Sequence, residues 1–426
     1  MRQMKLGLFL TPSGHHMAAW RHPESRTRFT FDTYREAAET AERGLFDMVF
    51  LADVLSMTAD TYRQDRIFFD PMTALTALAM TTTKIGLVAT VSTSFNEPFN
   101  VARRFASLDH LCGGRAGWNI VTSFATAESR LFGQNELLTP AERYERAHEF
   151  VDVVKRLWDT WDDDAITIDK QNGLFFDAKK LHPVKHAGKH YKVDGLLNIP
   201  RSPQGWPVLV QAGQSEDGRD LASSVAEVIF TIQRDKEEAK SFRADIKARA
   251  VKFGRDPAHA LVLPGVMPIV GRDRQEARDK EEQIQGLIHS GASVEALVHL
   301  FGNIFDSGNI DQPFPEIPAE QLTSSRAVGI MQAAREKGLT PRQACEKFIV
   351  SKGHRWVVGT AADIADTLQD WFETGASDGF NIMPAVTASE LPVFVDLVIP
   401  ELQRRGLFRT AYEGATLRDH LGLPRP

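Results

Sequence analysis

Residues 207–222 read PVLVQAGQSEDGRDLA, an apolar β-branched run that ends at Gly213 and is followed by Ser215 and an acid-rich helical stretch. A glycine at the end of a strand lets the backbone turn without a Cβ clash, and a serine in this place caps the helix that follows. The unpaired N–H groups of the first helical turn and the positive end of the helix dipole then face whatever lies above the strand. That is a site for a phosphate. The same residues also read as an ordinary βα turn with an N-cap serine, and the rest of the chain has to decide between the two.

Outward from this unit, short β-branched runs alternate with amphipathic helical stretches, the pattern of a parallel sheet wound with helices. Eight runs qualify as strands: 5–10, 48–52, 85–92, 116–122, 208–211, 228–232, 261–270 and 379–383. Eight interleaved units predict an α/β fold, the TIM (β/α)8 barrel, and 426 residues leave room for insertions at its C-terminal rim. The helix predicted over 32–45 puts Tyr34, Ala37, Ala38, Ala41 and Leu45 on one face, and that over 139–161 repeats Tyr144, Ala147, Val151, Val154, Trp158 and Trp161. Thr360 with Asp363, and Thr340 with Pro341, mark two further helix starts. Residues 162–206 and 271–358 break the rhythm and read as insertions that build substrate walls and lids. No internal repeat, low-complexity tract or linker divides the chain, so residues 1–426 read as one domain.

Hydrophobic residues make up 42% and charged residues 25%, enough apolar material for a large core. A net charge of −6 with scattered signs argues against a nucleic-acid or anionic-membrane surface, and no apolar run reaches bilayer length. Cys112 and Cys345 are the two cysteines, far apart and without a C-x-x-C, which fits a reducing cytoplasm. The basic-then-apolar start reads as a first strand, because no small-residue cleavage site follows it.

In a barrel of this kind chemistry sits just after each strand. The candidates are residues 12–16, Asp53, residues 90–94, residues 119–123, residues 213–215, Gln233 and Met383. They are polar but poor in nucleophiles, and no G-x-S-x-G, P-loop or H-E-x-x-H occurs, nor a G-x-G-x-x-G after the first strand. Such a set points to a site where a cofactor performs the hard chemistry. His182, His186 and His190 have i, i+4 spacing, but Pro183 and Gly188 break any helix that would align them; they read as a solvated hairpin, with no metal assigned. Of His15 and His16, which precede Trp20 and Arg21, one is expected to face the site and the other to be a surface residue. Arg103 and Arg104 read as a solvated helix face.

Six stretches carry a resemblance that covers nearly the whole chain: MKLGLFL, AETAERGLFDMVFLAD, RAGWNIVTS, AERYERAHEFVDVVKRLWDTW, PVLVQAGQSEDGRDLA and DWFETGASDGFNI. In order and spacing they resemble the bacterial-luciferase-like flavin monooxygenases, in particular the subgroup of nitrilotriacetate, EDTA, dibenzothiophene-sulfone and long-chain-alkane monooxygenases. The resemblance implies a homodimer or homotetramer that takes FMN as FMNH2 from a separate NAD(P)H:flavin reductase. It implies further that O2 adds to the flavin C4a carbon and that the resulting peroxide or hydroperoxide oxygenates an organic substrate. It puts Asp53, Thr90 and Asn119 at the isoalloxazine ring, Tyr144 at the flavin or its phosphate, and Gly213, Gln214 and Ser215 at the phosphate. His16 and Asn119 are the catalytic candidates; Phe9, His16, Trp20 and Arg326 are expected to line the pocket, with walls from 14–23, 162–206 and 290–358.

Two positions depart from the family pattern. Pro140 stands where relatives commonly carry a histidine, with Thr139 as the candidate replacement, and Gln214 stands where they often carry a serine, offering its backbone N–H and its amide instead. Three alternatives stay open: a flavin-holding relative without oxygenase activity, a deazaflavin-dependent oxidoreductase, and a metal-dependent barrel hydrolase using the insertion histidines.

Overall fold

The computed structural model describes residues 2–426 apart from 27–28, 58–64, 66, 124, 319–320 and 323–324, and excludes the side chains of residues 290, 325 and 326. Its strands are β1 (Lys5–Phe9), β2 (Met48–Leu51), β3 (Gly86–Ser92), β4 (Ala116–Val121), β5 (Ile166–Asp169), β6 (Leu174–Phe176), β7 (Val184–Ala187), β8 (Lys192–Gly195), β9 (Val208–Gln211), β10 (Val228–Thr231), β11 (Leu261–Gly271), β12 (Arg355–Thr360) and β13 (Gly379–Ile382).

Eight of these pair in parallel in the order β1-β2-β3-β4-β9-β10-β11-β13, and β13 returns to β1, so the sheet closes into the predicted barrel. A parallel strand between a barrel interior and a ring of helices is apolar on both faces. Met48 and Phe50 of β2 accordingly point inward with Val88, Val210 and Phe230, while Val49 and Leu51 face the helices. The helix Phe31–Arg43 buries Tyr34, Ala37, Ala38 and Ala41 as its period requires, and capping boxes at Thr340 and Thr360 open the helices Pro341–Ala344 and Ala361–Glu373.

The second insertion departs from its reading as walls and lids alone, because it contains β12. β11 is eleven residues long. Its first part pairs with β10 and β13, and its second part, Val266–Gly271, pairs in parallel with Arg355–Thr360. Exposed edges on a strand that outruns its barrel neighbours template another strand. The rest of this insertion carries an apolar cluster of its own, with Phe301, Phe305 and Phe314 packed edge to face.

The first insertion, expected as a pocket wall, forms two antiparallel hairpins, β5–β6 and β7–β8. The second of these packs on the helix Pro140–Trp158 through His186 to Glu149 at 2.9 Å and Arg146 to the Tyr191 hydroxyl at 2.6 Å. Charged partners on the outer face of that helix draw the insertion sideways, off the mouth of the barrel.

The opposite end of the barrel is sealed by the chain's own C-terminal helix, Leu417–Leu421. Leu417 is fully buried against Gly86 and Gly117, and a Cβ on Gly86 would collide with its Cδ1. Arg418 anchors the plug on Glu227 at 2.6 Å. No described helix is long and apolar enough to cross a membrane.

Candidate active site

Two groups of residues gather at the C-terminal ends of the strands. The first surrounds the β9 junction. Ser215 caps the helix Glu216–Val225, its Oγ accepting the Gly218 N–H at 3.2 Å. Tyr144 reaches this turn from the helix Pro140–Trp158: a Cβ built on Gly218 would lie 2.9 Å from the Tyr144 hydroxyl and 3.0 Å from both the Ser215 Oγ and the Gly213 Cα. Gly218 is therefore the floor of a cradle shared by Gly213, Ser215 and Tyr144. Sequence reasoning missed it, although a glycine in a helical first turn is costly unless something approaches closely. The first-turn acid Glu216 is drawn aside by Arg249 at 2.6 Å and Arg219 at 2.5 Å, so its charge is compensated outside the cradle.

Gln214 is built into the frame. Its Nε2 donates to the Thr231 hydroxyl and to the Ile232 carbonyl, both at 2.8 Å, tying β9 to the end of β10. Of the two groups expected from it, the backbone N–H remains. Thr139 is likewise committed: it caps its helix in a capping box with Glu142, and Pro140 is the first helical residue, where a missing N–H costs nothing. The departure from the family histidine is thus a helix-starting device.

The second group lies over β1 to β4. The Thr90 hydroxyl donates its one proton to the Leu51 carbonyl at 2.7 Å, so it accepts from the Asn119 Nδ2 at 2.8 Å. This fixes the amide orientation and leaves the Asn119 Oδ1 buried with no hydrogen-bond partner among the described residues. An acceptor buried in this state is costly unless a ligand supplies a donor.

Beside it opens a cavity of about 420 Å³. Phe9, His16 and Trp20 line it as expected, together with Asp53, Asp65, Glu128 and Lys352, whereas no residue of 162–206 does. The Arg326 side chain falls outside the described residues. Burial pushes the Asp53 carboxyl up to about 6, with Asp70 adding to the rise, and burial raises Glu128 as well. His16 is buried, and burial lowers it to about 3, so it is neutral. Its Nδ1 accepts the Ala18 N–H at 3.1 Å, so Nε2 carries the proton, and that atom is buried without a hydrogen-bond partner among the described residues. His15 is buried and lines the cavity too, so neither histidine is a surface residue; its Nε2 contacts the Phe9 carbonyl at 2.7 Å and must donate to it, which leaves Nδ1 an acceptor without a hydrogen-bond partner among the described residues. Asp65, Glu128 and Lys352 had no sequence signal, because only tertiary packing brings them to the β1 and β2 loops.

The insertion histidines do not converge. His182 pairs with Asp162 at 2.9 Å and His186 with Glu149 at 2.9 Å, and among the described residues no group of three His, Cys, Asp or Glu side chains gathers as a metal site. Arg103 and Arg104 lie exposed on the outer face of the helix Pro98–Leu111.

A barrel with this rim is shared by many enzymes, and the comparison with known proteins decides among them. Residues 4–378 match the model of the luciferase-like monooxygenases. The chain belongs to that family. Luciferase-like monooxygenases incorporate oxygen, and several relatives of this one carry monooxygenase names. The N-acetyl-S-(2-succino)cysteine monooxygenase of Bacillus subtilis (strain 168) is 45% identical, covering 100% of this chain and 98% of its own. Nitrilotriacetate monooxygenase component A of Aminobacter aminovorans is 43% identical, covering 100% and 97%. Among solved structures, riboflavin lyase with modified FMN and riboflavin superposes with a TM-score of 0.87 at 31% identity, over 99% of this chain and 96% of that one.

Proposed function

We propose that this luciferase-like monooxygenase is the oxygenase component of a two-component system and takes FMN in its reduced form. The observation that carries the reading is the cradle at Gly218, where the Tyr144 hydroxyl, the Ser215 hydroxyl and Gly213 close on a floor without a Cβ in the first turn of one helix. These donors suit a phosphate monoester. Asp53, Thr90 and Asn119 meet the polar edge of the ring, with the Asn119 Oδ1 accepting from it. Bound reduced flavin supplies the electrons that let dioxygen react with an organic substrate. The protein's own part is to orient ring and substrate and to exclude water from the cavity, where the His16 Nε2–H faces the substrate.

A separate reductase supplies the flavin on this reading, supported by the relative named as a component A. Residues 1–426 work as one barrel domain in the cytoplasm, as a homodimer or homotetramer. Pro140, the only residue that pointed to a relative without oxygenase activity, is accounted for by its place at a helix start.

The test is an anaerobic titration of the purified chain with reduced FMN, followed by admission of oxygen. Saturable binding, and hydrogen peroxide release slower than from free reduced FMN, is the expected result. No binding, or peroxide release at the free rate, overturns the proposal.

A further inference from the structure

Beside the loop after β1 lies a second, smaller cavity of about 200 Å³. Met17 and Trp20 line both it and the main cavity, so the two volumes share a wall. The rest of this annex is built by Ala18, Leu287, Ile288 and Ala292, where the second insertion turns from the helix Arg274–Gly286 into the helix Ser290–Phe301. The latter helix runs past both volumes: Ala292 borders the annex, and Ala296 and Leu300, four and eight residues further along the same face, border the main cavity.

The two cavities differ in chemistry. Asp53, Asp65, Glu128 and Lys352 line the main one. Around the annex the polar groups are committed to the frame. The Met17 N–H donates to the Val350 carbonyl at 3.2 Å, the Ala18 N–H to the His16 Nδ1 at 3.1 Å, the Ile288 N–H to the Gln285 carbonyl at 3.0 Å and the Ala292 N–H to the His289 carbonyl at 2.8 Å. The His289 Nδ1 accepts the Gly291 N–H at 3.0 Å, and the Arg21 guanidinium donates to the Leu287 carbonyl, tying the β1 loop to the insertion. What these bonds leave to a ligand is apolar side-chain surface, which rewards apolar carbon and penalises a polar group stripped of its water. An apolar cavity of about 150 Å³ holds a benzene ring, so the annex has room for a tail of about six carbons. The shared wall also yields: Met17 is pinned through its backbone, but its unbranched side chain turns about three bonds without a change of fold.

We infer that the annex receives an apolar tail of the substrate, whose polar, reacting end lies in the main cavity, and that Ala292 limits the length of that tail. The inference rests on the monooxygenase reading for the word substrate, but binding of the tail is measured without turnover.

Straight-chain 1-alkanols from 1-propanol to 1-nonanol serve as probes, each titrated calorimetrically into the full chain with and without anaerobically reduced FMN. Affinity is expected to rise by up to about fourfold for each added methylene until the annex is full, and then to level off. Ala292→Phe should end the rise at a shorter chain and weaken 1-nonanol by about tenfold or more, with 1-propanol and reduced FMN bound as in wild type. Ile288→Ala, at a half-buried position, should end the rise at a longer chain, and it decides alone if the Ala292 variant does not fold. An unbroken rise shared by wild type and Ala292→Phe, equal losses of 1-propanol and 1-nonanol, or a levelling-off that Ile288→Ala leaves in place would each overturn the inference. Slower reaction of bound reduced FMN with oxygen in Ala292→Phe, at unchanged alkanol affinities, marks the annex as an oxygen route and overturns it as well. Failure of the flavin itself to bind contradicts the proposed function instead, and the flavin-free titration still decides the tail.

Discussion

The Asn119 amide donates to the Thr90 hydroxyl across β4 and β3 at 2.8 Å, and the Thr90 hydroxyl is in turn fixed by the Leu51 carbonyl at 2.7 Å. The relay orients one acceptor, the Asn119 Oδ1, that no described protein group satisfies. If the flavin ring supplies its donor, Asn119→Ala loses about 1 kcal/mol of reduced-flavin binding, roughly fivefold in affinity. Anaerobic titration of the variant checks this, and wild-type affinity would remove Asn119 from the ring site.

The cradle at Gly218 makes a sharper demand. A methyl group there would press on the Tyr144 hydroxyl and the Ser215 Oγ at about 3 Å. Gly218→Ala is expected to weaken FMN more than Ser215→Ala, which costs about 1 kcal/mol through one lost hydrogen bond or cap. If Gly218→Ala binds FMN as well as wild type does, the phosphate lies elsewhere.

Asp53 sets a pH dependence. Its carboxyl titrates at about 6 in the fold against an ordinary 3.8, so between those values the folded state holds more protons than the unfolded one. This contribution to stability therefore falls as pH rises from about 4 through about 6, then levels off. Melting temperatures from pH 4 to pH 8 should show Asp53→Asn gaining on wild type over that window and keeping the gain above it. A difference between the two proteins that is constant with pH would contradict the raised carboxyl.

Stability of the barrel base depends on Leu417, fully buried against Gly86 and Gly117. Leu417→Ala opens a cavity there and should cost about 2–5 kcal/mol, read as a lower denaturant midpoint with an unchanged slope. A loss under about 1 kcal/mol would mean that the terminal helix is not a core element.

The barrel was legible because its eight strands are largely buried on both faces and so appear as short, mostly apolar runs between helical periods. β12 was not, because RWVVGT is a strand only by virtue of the length of β11, which lies far away in sequence. At the site, Gly213 and Ser215 announced a strand end and a cap, both local features. Gly218, Asp65 and Lys352 matter through contacts with Tyr144, Ser13 and His15, and tertiary folding alone creates those contacts. The walls expected from 162–206 failed for the same reason: Glu149 and Arg146 capture that insertion on the outside of a helix.

The central claim is that the junction after β9 holds the phosphate of a reduced flavin. Anaerobic titration of the full chain with reduced FMN and, separately, with reduced riboflavin tests it most directly, since the two ligands differ only in the phosphate. The account predicts that reduced FMN binds at least about tenfold more tightly, and that Gly218→Ala narrows the gap. Equal affinities for the two flavins would contradict it.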